Sequence, residues 1–393
     1  MDNEKPQIAV FSLAFYPFEG GAEVACREII KRLPRLNFAI FTYKFDMKWP
    51  SVEADGNAEI IRLGLGSNGK KYGRILDKAL YIFRALRAAE KAHKEKKFKV
   101  IWAIMASYGG IAALFFKLRH PEISLLLTVQ EGDSEKYLVS GRMGLVGFFG
   151  KKIFQKADFI QAISNYLKDF AIKRGARCPI EVVPNGVDIK NFSKKYSELE
   201  IKELRDRLGL KDEYIIVTTS RLVYKNGVDV LIDAIAKFRE KTPNVKCLVV
   251  GDGPERSNLE SKIKKLGIER NILLLGQIDQ KEIPLYLKIS DIFARPSRSE
   301  GLGNSFLEAM AAGIPVIGTP VGGIVDFLVD KETGFIMQVD DSKELADKID
   351  FIIQNPELCK KIANNGLKMV KDRYSWDKIA ESFSDIFNNK LIK

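Results

Sequence analysis

The sequence predicts an α/β protein made of two doubly wound domains. Short apolar runs alternate with longer amphipathic runs along the 393 residues, and this alternation occurs twice, on either side of a polar, turn-rich stretch at 184–197. Strands that helices cover on both faces appear as continuous apolar runs, which is typical of parallel sheets. Each half is therefore expected to form an open parallel sheet with helices on both faces.

The first half contains four predicted buried strands and two clear helices. The strands are expected at Ile8–Leu13, Val100–Ala103, Leu125–Val129 and Phe159–Ile163. One helix is expected at Ala22–Leu33 and a second at Leu80–Lys97. The apolar face of the second helix would comprise Ile82, Phe83, Leu86 and Ala89.

The second half repeats the pattern with five short strands. They are predicted at Tyr214–Thr218, Lys246–Val250, Ile272–Leu275, Ile292–Ala294 and Pro315–Ile317. Ligands of open parallel sheets bind beyond the carboxyl ends of the strands. The loops that follow these strands are therefore the expected location of a functional site.

The composition argues against several classes of protein. The chain has only two histidines, which argues against a Ser-His-Asp hydrolase and against a histidine-rich metal centre. Its four cysteines are widely separated and show no metal-binding spacing, which favours a reducing, cytoplasmic setting. The first 200 residues hold 33 basic and 22 acidic residues and carry +11 of the net charge of +12. Such an excess indicates an anionic partner (nucleic acid, an anionic membrane or a phosphorylated substrate), with ordinary solubility charge as the alternative.

The most informative segment is the loop and helix at 299–313. Glu300 and Glu308 flank a glycine-rich turn, and a helix is expected to begin at Asn304 or Ser305. The free N–H groups of a first helical turn suit an anion, and glycines let a ligand approach the backbone. The two carboxylates are suited to hold the hydroxyls of a sugar-bearing ligand, whereas a capped helix with a solvated Glu308 is the alternative.

Three other strand-to-helix loops carry turn residues, at 18–23, 220–227 and 251–254. Arg221 and Lys225 would bring positive charge to a phosphate, although each loop by itself also fits ordinary turn chemistry. A Walker A loop is absent, and a dinucleotide fingerprint is not convincing because the glycines at 251 and 253 lack the third.

Taken together and in this order, the motifs resemble those of retaining glycosyltransferases of family 4, which have the GT-B fold. The segments that match are Gly20–Gly21, Pro184–Asp188, Ser220–Leu222, Gly251–Pro254 and the pair Glu300 and Glu308. The resemblance covers essentially the whole chain. The combination is specific, whereas any single motif is not.

The resemblance implies two Rossmann-like domains that face a cleft, with the last helix, near Trp376–Phe387, crossing back to the N-terminal domain. An acceptor-binding domain would comprise residues 1–186 plus about 376–393, and a nucleotide-sugar-binding domain would comprise 187–375. No metal and no other cofactor is expected, because the leaving diphosphate itself would take the proton of the acceptor. The donor substrate would be a nucleotide-diphosphate sugar.

The family also implies roles for individual residues. Glu308 should hold the ribose hydroxyls, Glu300 should lie by the donor sugar, and Arg221 should neutralise the diphosphate. Candidate catalytic residues are Glu300, Arg221 and Asp133. The residues expected to contact the donor are Gly20, Gly21, Arg221, Lys225, Asn226, Gly251, Ile278, Glu300, Gly301, Leu302, Gly303, Asn304, Ser305 and Glu308.

The chain departs from the family pattern at two positions. The family usually shows a lysine where Asn226 stands; either Lys225 replaces it by a local shift, or Arg221 acts with other donors. Many members carry a histidine where Gln130 stands, and glutamine can hydrogen-bond a sugar hydroxyl but cannot act as a base. Tyr16, Gln130 and Glu131 are candidate acceptor contacts, with a mere role in shaping the loop as the alternative for Gln130 and Glu131.

A basic, aromatic segment at 142–156 indicates a possible partner of the first half. If this segment is helical, Phe148 and Phe154 fall off its core stripe and Lys151, Lys152 and Lys156 add charge. Basic residues beside exposed aromatic rings suit an anionic membrane surface, whereas a buried helix with solvated lysines is the alternative. Nucleic acid is not an expected partner, since no RNA-binding motif appears.

The predicted function is retaining, metal-independent transfer of a hexose from a UDP- or GDP-sugar to a glycan or lipid-linked acceptor in surface polysaccharide or glycolipid synthesis. The expected location is the cytoplasm, with the inner face of the cell membrane as a candidate site of peripheral contact. Two alternatives stay open. One is another GT-B reaction, such as sugar-nucleotide epimerisation or transfer to a small soluble acceptor, and the other is non-catalytic binding of a nucleotide sugar.

Overall fold

A computed structural model describes residues 5–17, 20–64, 66, 75–132 and 145–392. Internal contacts divide the chain into two units. Unit 1 comprises Met1–Asn185 and Trp376–Lys393, and unit 2 comprises Gly186–Ser375. Both units are α/β structures built on a mainly parallel sheet, which confirms the predicted fold class.

The described residues of unit 1 form eight strands of a single sheet. Its strands are β1 (Gln7–Phe11), β2 (Asn37–Tyr43), β3 (Val52–Asp55), β4 (Ala58–Leu63), β5 (Val100–Ile104), β6 (Ser124–Val129), β7 (Phe159–Ala162) and β8 (Ile180–Val182). Its helices are α1 (Gly21–Lys31), α2 (Ile75–Lys96), α3 (Tyr108–Arg119), α4 (Leu145–Lys156), α5 (Asn165–Lys173) and α14 (Trp376–Asp385), the last followed by a π-helical turn over Ile386–Leu391.

The strand order in unit 1 is β3-β4-β2-β1-β5-β6-β7-β8, and every neighbouring pair except β3 and β4 is parallel. The chain runs outward from β1 on one side and returns to β5 on the other, so the order reverses between these two strands. The loops after β1 and β5 therefore meet at a topological switch point, where open sheets bind ligands.

The C-terminal helix belongs to unit 1 because its apolar face completes the core of that unit. The ring of the fully buried Trp102, on β5, lies 5.4 Å from the rings of both Phe383 and Phe387. Arg32 Nε donates a hydrogen bond of 2.8 Å to Asp377 at the start of the same helix. Aromatic pairs of this kind add to the free energy gained from burial itself.

One predicted helix face differs from the structure. Helix α2 buries Tyr81, Ala85, Leu86 and Ala89, whereas Phe83 is 64% exposed. The apolar pattern predicts that Phe83 lies on the buried face, and this prediction is wrong by about one residue of helical rotation. Tyr81 anchors the true face, because its hydroxyl donates to the carbonyl oxygens of Ser12 and Phe41.

Unit 2 contains a six-stranded parallel sheet. Its strands are β9 (Tyr214–Thr219), β10 (Val245–Val250), β11 (Ile272–Gly276), β12 (Ile292–Arg295), β13 (Val316–Gly318) and β14 (Phe335–Ile336). Its helices are α6 (Ile189–Phe192), α7 (Glu198–Arg207), α8 (Val228–Lys241), α9 (Arg256–Leu266), α10 (Ile283–Lys288), α11 (Asn304–Ala312), α12 (Ser342–Gln354) and α13 (Pro356–Arg373), with short 3-10 turns at Tyr224–Asn226 and Gly322–Asp326.

The strand order in unit 2 is β11-β10-β9-β12-β13-β14. Each strand pairs in parallel with its neighbours, and the central strands are buried almost completely. The order reverses between β9 and β12. The loops at 220–227 and 296–303, which follow these two strands, therefore lie at the switch point of unit 2.

Candidate functional site

The turn that opens helix α11 has the backbone shape that the sequence predicts. Gly303 has a φ of +97°, a left-handed conformation that glycine adopts without strain, and α11 begins at the next residue. The first N–H groups of α11 lack acceptors within the helix, so they can meet an anion. Leu302, in the turn before Gly303, is buried.

Arg295 is a functional candidate that the sequence analysis missed. It is the last residue of β12, it is 8% exposed, and its guanidinium forms an ion pair with the carboxylate of Glu300. Nη1 donates to Ser305 Oγ at 2.6 Å, and Nη2 donates to Asn226 Oδ1 at 3.2 Å. The sequence did contain a signal for Arg295, since it is a charged residue at the end of an otherwise apolar strand. Cations are rarely buried without a partner, so a charge at this position indicates a specific interaction.

Glu300 and Glu308 both lie beside this arginine, but in different environments. Glu300 is 7% exposed and accepts from Ser297 Oγ at 3.4 Å in addition to the ion pair with Arg295. Glu308 is half-buried on α11, and burial raises its pKa to about 7, an effect that the charge of Arg295 opposes. Burial also lowers the pKa of Arg295 to about 10, so the guanidinium remains charged at neutral pH.

The loop after β9 holds Asn226 in an enclosed position. Asn226 is 4% exposed; its Nδ2 donates to the carbonyl oxygen of Arg221 at 2.6 Å, and its Oδ1 accepts from Arg295. Both ends of this side chain are therefore bonded to the protein. The amide of Asn226 thus shapes the loop, and its direct contact with a donor stays a prediction.

A second arginine, Arg298, fixes the same loop from the β12 side. It makes a two-point contact with Asp229 at 2.7 and 2.8 Å, donates to the carbonyl oxygen of Tyr224 at 2.7 Å, and lies 4.0 Å from the centre of the Tyr224 ring. Burial alone would raise the pKa of Asp229, but the bonds from Arg298 more than offset it and the pKa is lowered. This contact holds the segment that carries Arg221 and Lys225.

The remaining donor candidates lie around the same sheet edge. Arg221 is exposed and Lys225 is half-buried. Gly251 N donates to the carbonyl oxygen of Gly276 at 2.7 Å, which joins the loops after β10 and β11, and Ile278 follows two residues later, partly exposed. Unit 2 thus brings all of its predicted donor residues to the carboxyl ends of its strands.

The start of α1 in unit 1 differs from the expected open anion site. Gly20 and Gly21 precede its first turn as predicted. The carboxylate of Glu23, which the sequence analysis did not single out, accepts hydrogen bonds from the backbone N–H groups of Gly20 and Glu23 itself. Burial raises the pKa of Glu23 to about 7 despite these bonds. A phosphate at this helix start would therefore meet a position that the side chain of Glu23 already occupies.

The acceptor candidates of unit 1 surround the ends of β1 and β6. Tyr16 is half-buried, with the guanidinium of Arg27 3.6 Å from its ring centre. Glu131 is 3% exposed and accepts from the backbone N–H groups of Ala106 at 2.9 Å and Gln130 at 3.0 Å. Glu131 thus ties the loops after β5 and β6 together.

Gln130 is half-buried and accepts from Asn185 Nδ2 at 3.1 Å. This bond joins the loop after β6 to the last residue of the first part of unit 1. The third carboxylate candidate, Asp133, lies outside the described residues.

Helix α4 carries part of the predicted basic, aromatic surface. Phe148 is 60% exposed, and Lys151, Lys152 and Lys156 are exposed on the same helix. Phe154 is buried and packs edge-on against Phe170 with 5.8 Å between ring centres. The prediction that Phe154 contacts a membrane is therefore wrong, because it lies on the inward face of the helix.

No helix among the described residues combines the length and the apolar character that crossing a bilayer requires.

Two family models match the chain. The model for glycosyl transferases group 1 matches residues 200–369, and the model for glycosyltransferase family 4 matches residues 19–191. The chain is 29% identical over 234 residues to a GDP-mannose-dependent alpha-(1-6)-phosphatidylinositol monomannoside mannosyltransferase of Mycolicibacterium smegmatis, an alignment that covers 58% of this chain and 61% of that protein. The chain thus spans about three fifths of the curated relatives that it matches first.

Solved structures share the fold over nearly the whole length. Sucrose-phosphate synthase of Thermosynechococcus elongatus superposes with a TM-score of 0.84 at 23% identity, covering 98% of both chains. The HepE protein of Anabaena in complex with UDP-glucose gives a TM-score of 0.78 at 21% identity, covering 98% of this chain and 99% of that chain. With both halves matched by family models and both sheets ordered as Rossmann-like units, this chain belongs to glycosyltransferase family 4 and has the GT-B fold.

Proposed function

We propose that this protein is a hexosyltransferase that moves a sugar from a UDP- or GDP-sugar to a glycan or lipid-linked acceptor, with retention of the anomeric configuration. The observation that carries the proposal is the group formed by Arg295, Glu300 and Glu308 at the switch point of unit 2, beside the glycine turn of α11. A cation, two carboxylates and free backbone N–H groups match the diphosphate and the hydroxyls of a nucleotide sugar.

The charges of the site fit the demands of the reaction. As the bond between the sugar and the diphosphate breaks, negative charge grows on the leaving phosphate. Arg221, Lys225 and the first turn of α11 are the groups proposed to stabilise that charge, and the leaving phosphate takes the proton of the acceptor hydroxyl. Rate acceleration then comes mainly from positioning and from charge stabilisation by groups that are already in place.

The two carboxylates have separate proposed roles. Ionised Glu308 accepts hydrogen bonds from the ribose hydroxyls, whereas Glu300 lies by the donor sugar. A retaining glycosidase would need both carboxyl groups at the scissile bond. Glu308 projects from α11, whereas Glu300 lies in the loop before it and pairs with Arg295, and we therefore assign the two carboxyl groups to different parts of the donor and not to the scissile bond together.

A lipid-linked acceptor is supported by the surface of unit 1 and by the names of the relatives. One relative is named for a phosphatidylinositol monomannoside, and others are named alpha-monoglucosyldiacylglycerol synthases. Exposed Phe148 with its neighbouring lysines, and exposed Leu80 and Phe83 on α2, would contact an anionic bilayer.

Vesicles containing anionic lipid test that surface. Phe148→Ser is expected to weaken vesicle binding, whereas Leu199→Ser in unit 2, which removes an equally exposed leucine, is expected to leave binding unchanged. Equal binding by both variants and the original chain would remove the surface from the proposal.

The proposal includes independence from a divalent metal. Among the described residues, one group of potential ligands stands out: His93, His120 and Glu122, whose ligand atoms lie within 4.8 Å of one another. These residues precede β5 and β6, at the amino ends of the strands, whereas the acceptor candidates of unit 1 follow the carboxyl ends of its strands. Transfer activity is expected to survive EDTA; loss of activity that added Mg²⁺ or Mn²⁺ restores would contradict this part.

The transfer assay combines UDP-glucose or GDP-mannose with vesicles that contain or lack candidate acceptor lipids. We expect nucleoside diphosphate release that depends on acceptor, and an α-linked product by proton NMR when an α-linked donor is used. Glu300→Gln should reduce transfer strongly, while Glu240→Gln, an exposed glutamate on α8, should not. Binding without release would favour a non-catalytic binder, and conversion of the donor without any acceptor would favour an epimerase.

A further inference from the structure

We propose that Arg295 is a diphosphate-binding residue of the donor site, and that it supplies the positive charge that the family pattern takes from a lysine at position 226. This inference rests on the proposed function, since it assumes a nucleotide-diphosphate ligand in unit 2. It concerns a residue outside every motif that linked the sequence to the family. It also answers which group replaces the missing lysine, for which Lys225 was one of the alternatives.

The guanidinium of Arg295 lies where the two loops of the switch point meet. Arg295 ends β12 and contacts Glu300 in the loop after β12 and Asn226 in the loop after β9. On one side Nη1 bonds to Ser305, in the first turn of α11, where free N–H groups favour an anion. On the other side Nη2 reaches Asn226, the residue at the lysine position itself.

The guanidinium of Arg295 also has a hydrogen-bond donor that the described part of the protein does not satisfy. Within the described residues, the buried Nε–H has no hydrogen-bond partner. A buried guanidinium that leaves a donor unsatisfied costs free energy, so such a group in a native protein calls for an explanation. A phosphate oxygen, which accepts from Nε and Nη together, would satisfy it.

Without a ligand, Arg295 is paired with a carboxylate of the protein itself. The Glu300 carboxylate forms the ion pair with Nη2, at the side of the guanidinium that also contacts Asn226. A diphosphate that arrives beside α11 competes with Glu300 for the same cation. When the phosphate takes the place of this carboxylate, Glu300 is released toward the donor sugar, which is where the proposed function requires it.

The substitution at position 226 then has a physical reason. A lysine there would put an ammonium group within contact distance of the Arg295 guanidinium in a buried space, where like charges repel strongly. Asparagine offers a neutral oxygen to the arginine instead, and its amide end stays bonded to the backbone of Arg221. One cation at this point of the site is therefore compatible with the fold, and Arg295 provides it.

Titration calorimetry of the full chain with UDP, UMP, GDP and GMP tests this inference. Loss of a hydrogen-bonded charge is expected to weaken diphosphate binding by about 10- to 150-fold in Arg295→Met. The affinity for the monophosphate should fall much less, so the preference for diphosphate over monophosphate collapses. A purely structural role for Arg295 would weaken both ligands in proportion. Lys288→Met, which removes an exposed lysine on α10, is the matched control and should bind as the original chain does.

A charge relocation keeps the test decisive if Arg295→Met folds poorly. We expect Asn226→Lys to restore diphosphate binding when it is combined with Arg295→Met, because it returns the cation to the same space. When Asn226→Lys is combined with Lys225→Met instead, it should not increase diphosphate binding. Arg295→Lys, which keeps the charge, should retain most of the diphosphate preference.

The outcomes separate this inference from the proposed function. If the original chain binds neither nucleoside diphosphate, both are overturned. If it binds one of them and Arg295→Met, folded by circular dichroism, keeps the diphosphate preference, only the role of Arg295 is overturned. Only the role of Arg295 is likewise overturned if Asn226→Lys restores diphosphate binding to Lys225→Met but not to Arg295→Met.

Discussion

Replacing Glu308 by glutamine should stabilise the protein in a pH-dependent manner. Burial raises the pKa of Glu308 from an ordinary value of 4.5 to about 7, so the folded protein resists ionising this carboxyl group. Glutamine has nearly the same shape and carries no charge at any pH. The substitution therefore removes the cost of a buried carboxylate without opening a cavity.

The sign and size of the effect follow from the two pKa values. For an acid whose pKa is raised on folding, the added stability is fully present below the unfolded value and is lost as the pH rises through the folded value. Between pH 5.5 and 8.0 the ionisation of Glu308 lowers the free energy of unfolding by about 2 kcal/mol, and glutamine avoids this loss. In a unit of this size, that equals a Tm difference of about 4–8 °C.

Melting curves of both proteins at pH 5.5 and 8.0 measure this effect directly. The Tm of Glu308→Gln minus that of the original chain should increase by several degrees between the two pH values. Glu23→Gln is a matched comparison in unit 1, where burial also raises a glutamate pKa to about 7. A Tm difference for Glu308→Gln that is the same at both pH values would show that Glu308 titrates near its ordinary value and would refute the reasoning.

Three further changes test how the structure holds the site and the fold. Arg298→Met removes the two-point contact with Asp229 and should lower the free energy of unfolding, measured in urea, by about 1.5–3 kcal/mol. It should also speed proteolysis within 220–227, and an unchanged midpoint of urea unfolding would contradict the role of this contact. Gly303→Ala forces a side chain into a φ of +97° and should cost about 1–3 kcal/mol and weaken nucleotide binding, whereas full stability would mean that the turn relaxes freely. Phe387→Ala should destabilise unit 1 by about 3–5 kcal/mol, whereas Leu358→Ala, at an exposed leucine, should have a smaller effect on stability. Equal losses of stability would show that the C-terminal segment does not complete the core of unit 1.

The fold was predictable because its signal is repeated many times. Every buried strand named from the sequence appears in the structure within two residues of its expected bounds. Strands β2, β3, β4, β8 and β14 were not identified, although β2 is buried almost throughout. The exposed antiparallel β3 reveals itself only through its pairing with β4, which is a tertiary contact and not a local pattern.

The contents of the site were only partly predictable, because burial and partner choice depend on packing. The sequence showed that Asn226 departs from the family pattern, but not that a cation from the end of β12 would lie against it. Likewise, Gly20 and Gly21 were visible as an anion-binding turn, whereas the occupation of that turn by Glu23 depends on how the side chain folds back. Phe148 and Phe154 lie six positions apart on α4, and the packing of Phe154 against Phe170 shows that Phe154 is the one that faces inward.

Binding of nucleoside diphosphates to the full chain tests directly whether unit 2 holds a donor site at its switch point. Melting curves with UDP, GDP and ADP should show that UDP or GDP stabilises the protein; saturation at 100 times the dissociation constant adds about 2.7 kcal/mol to the free energy of unfolding. Glu308→Ala is expected to reduce this stabilisation for the ribonucleotide and to remove the preference for it over the 2′-deoxy nucleotide. No stabilisation by any of the three, or equal stabilisation of the Glu308→Ala variant, would contradict a donor site at the switch point of unit 2.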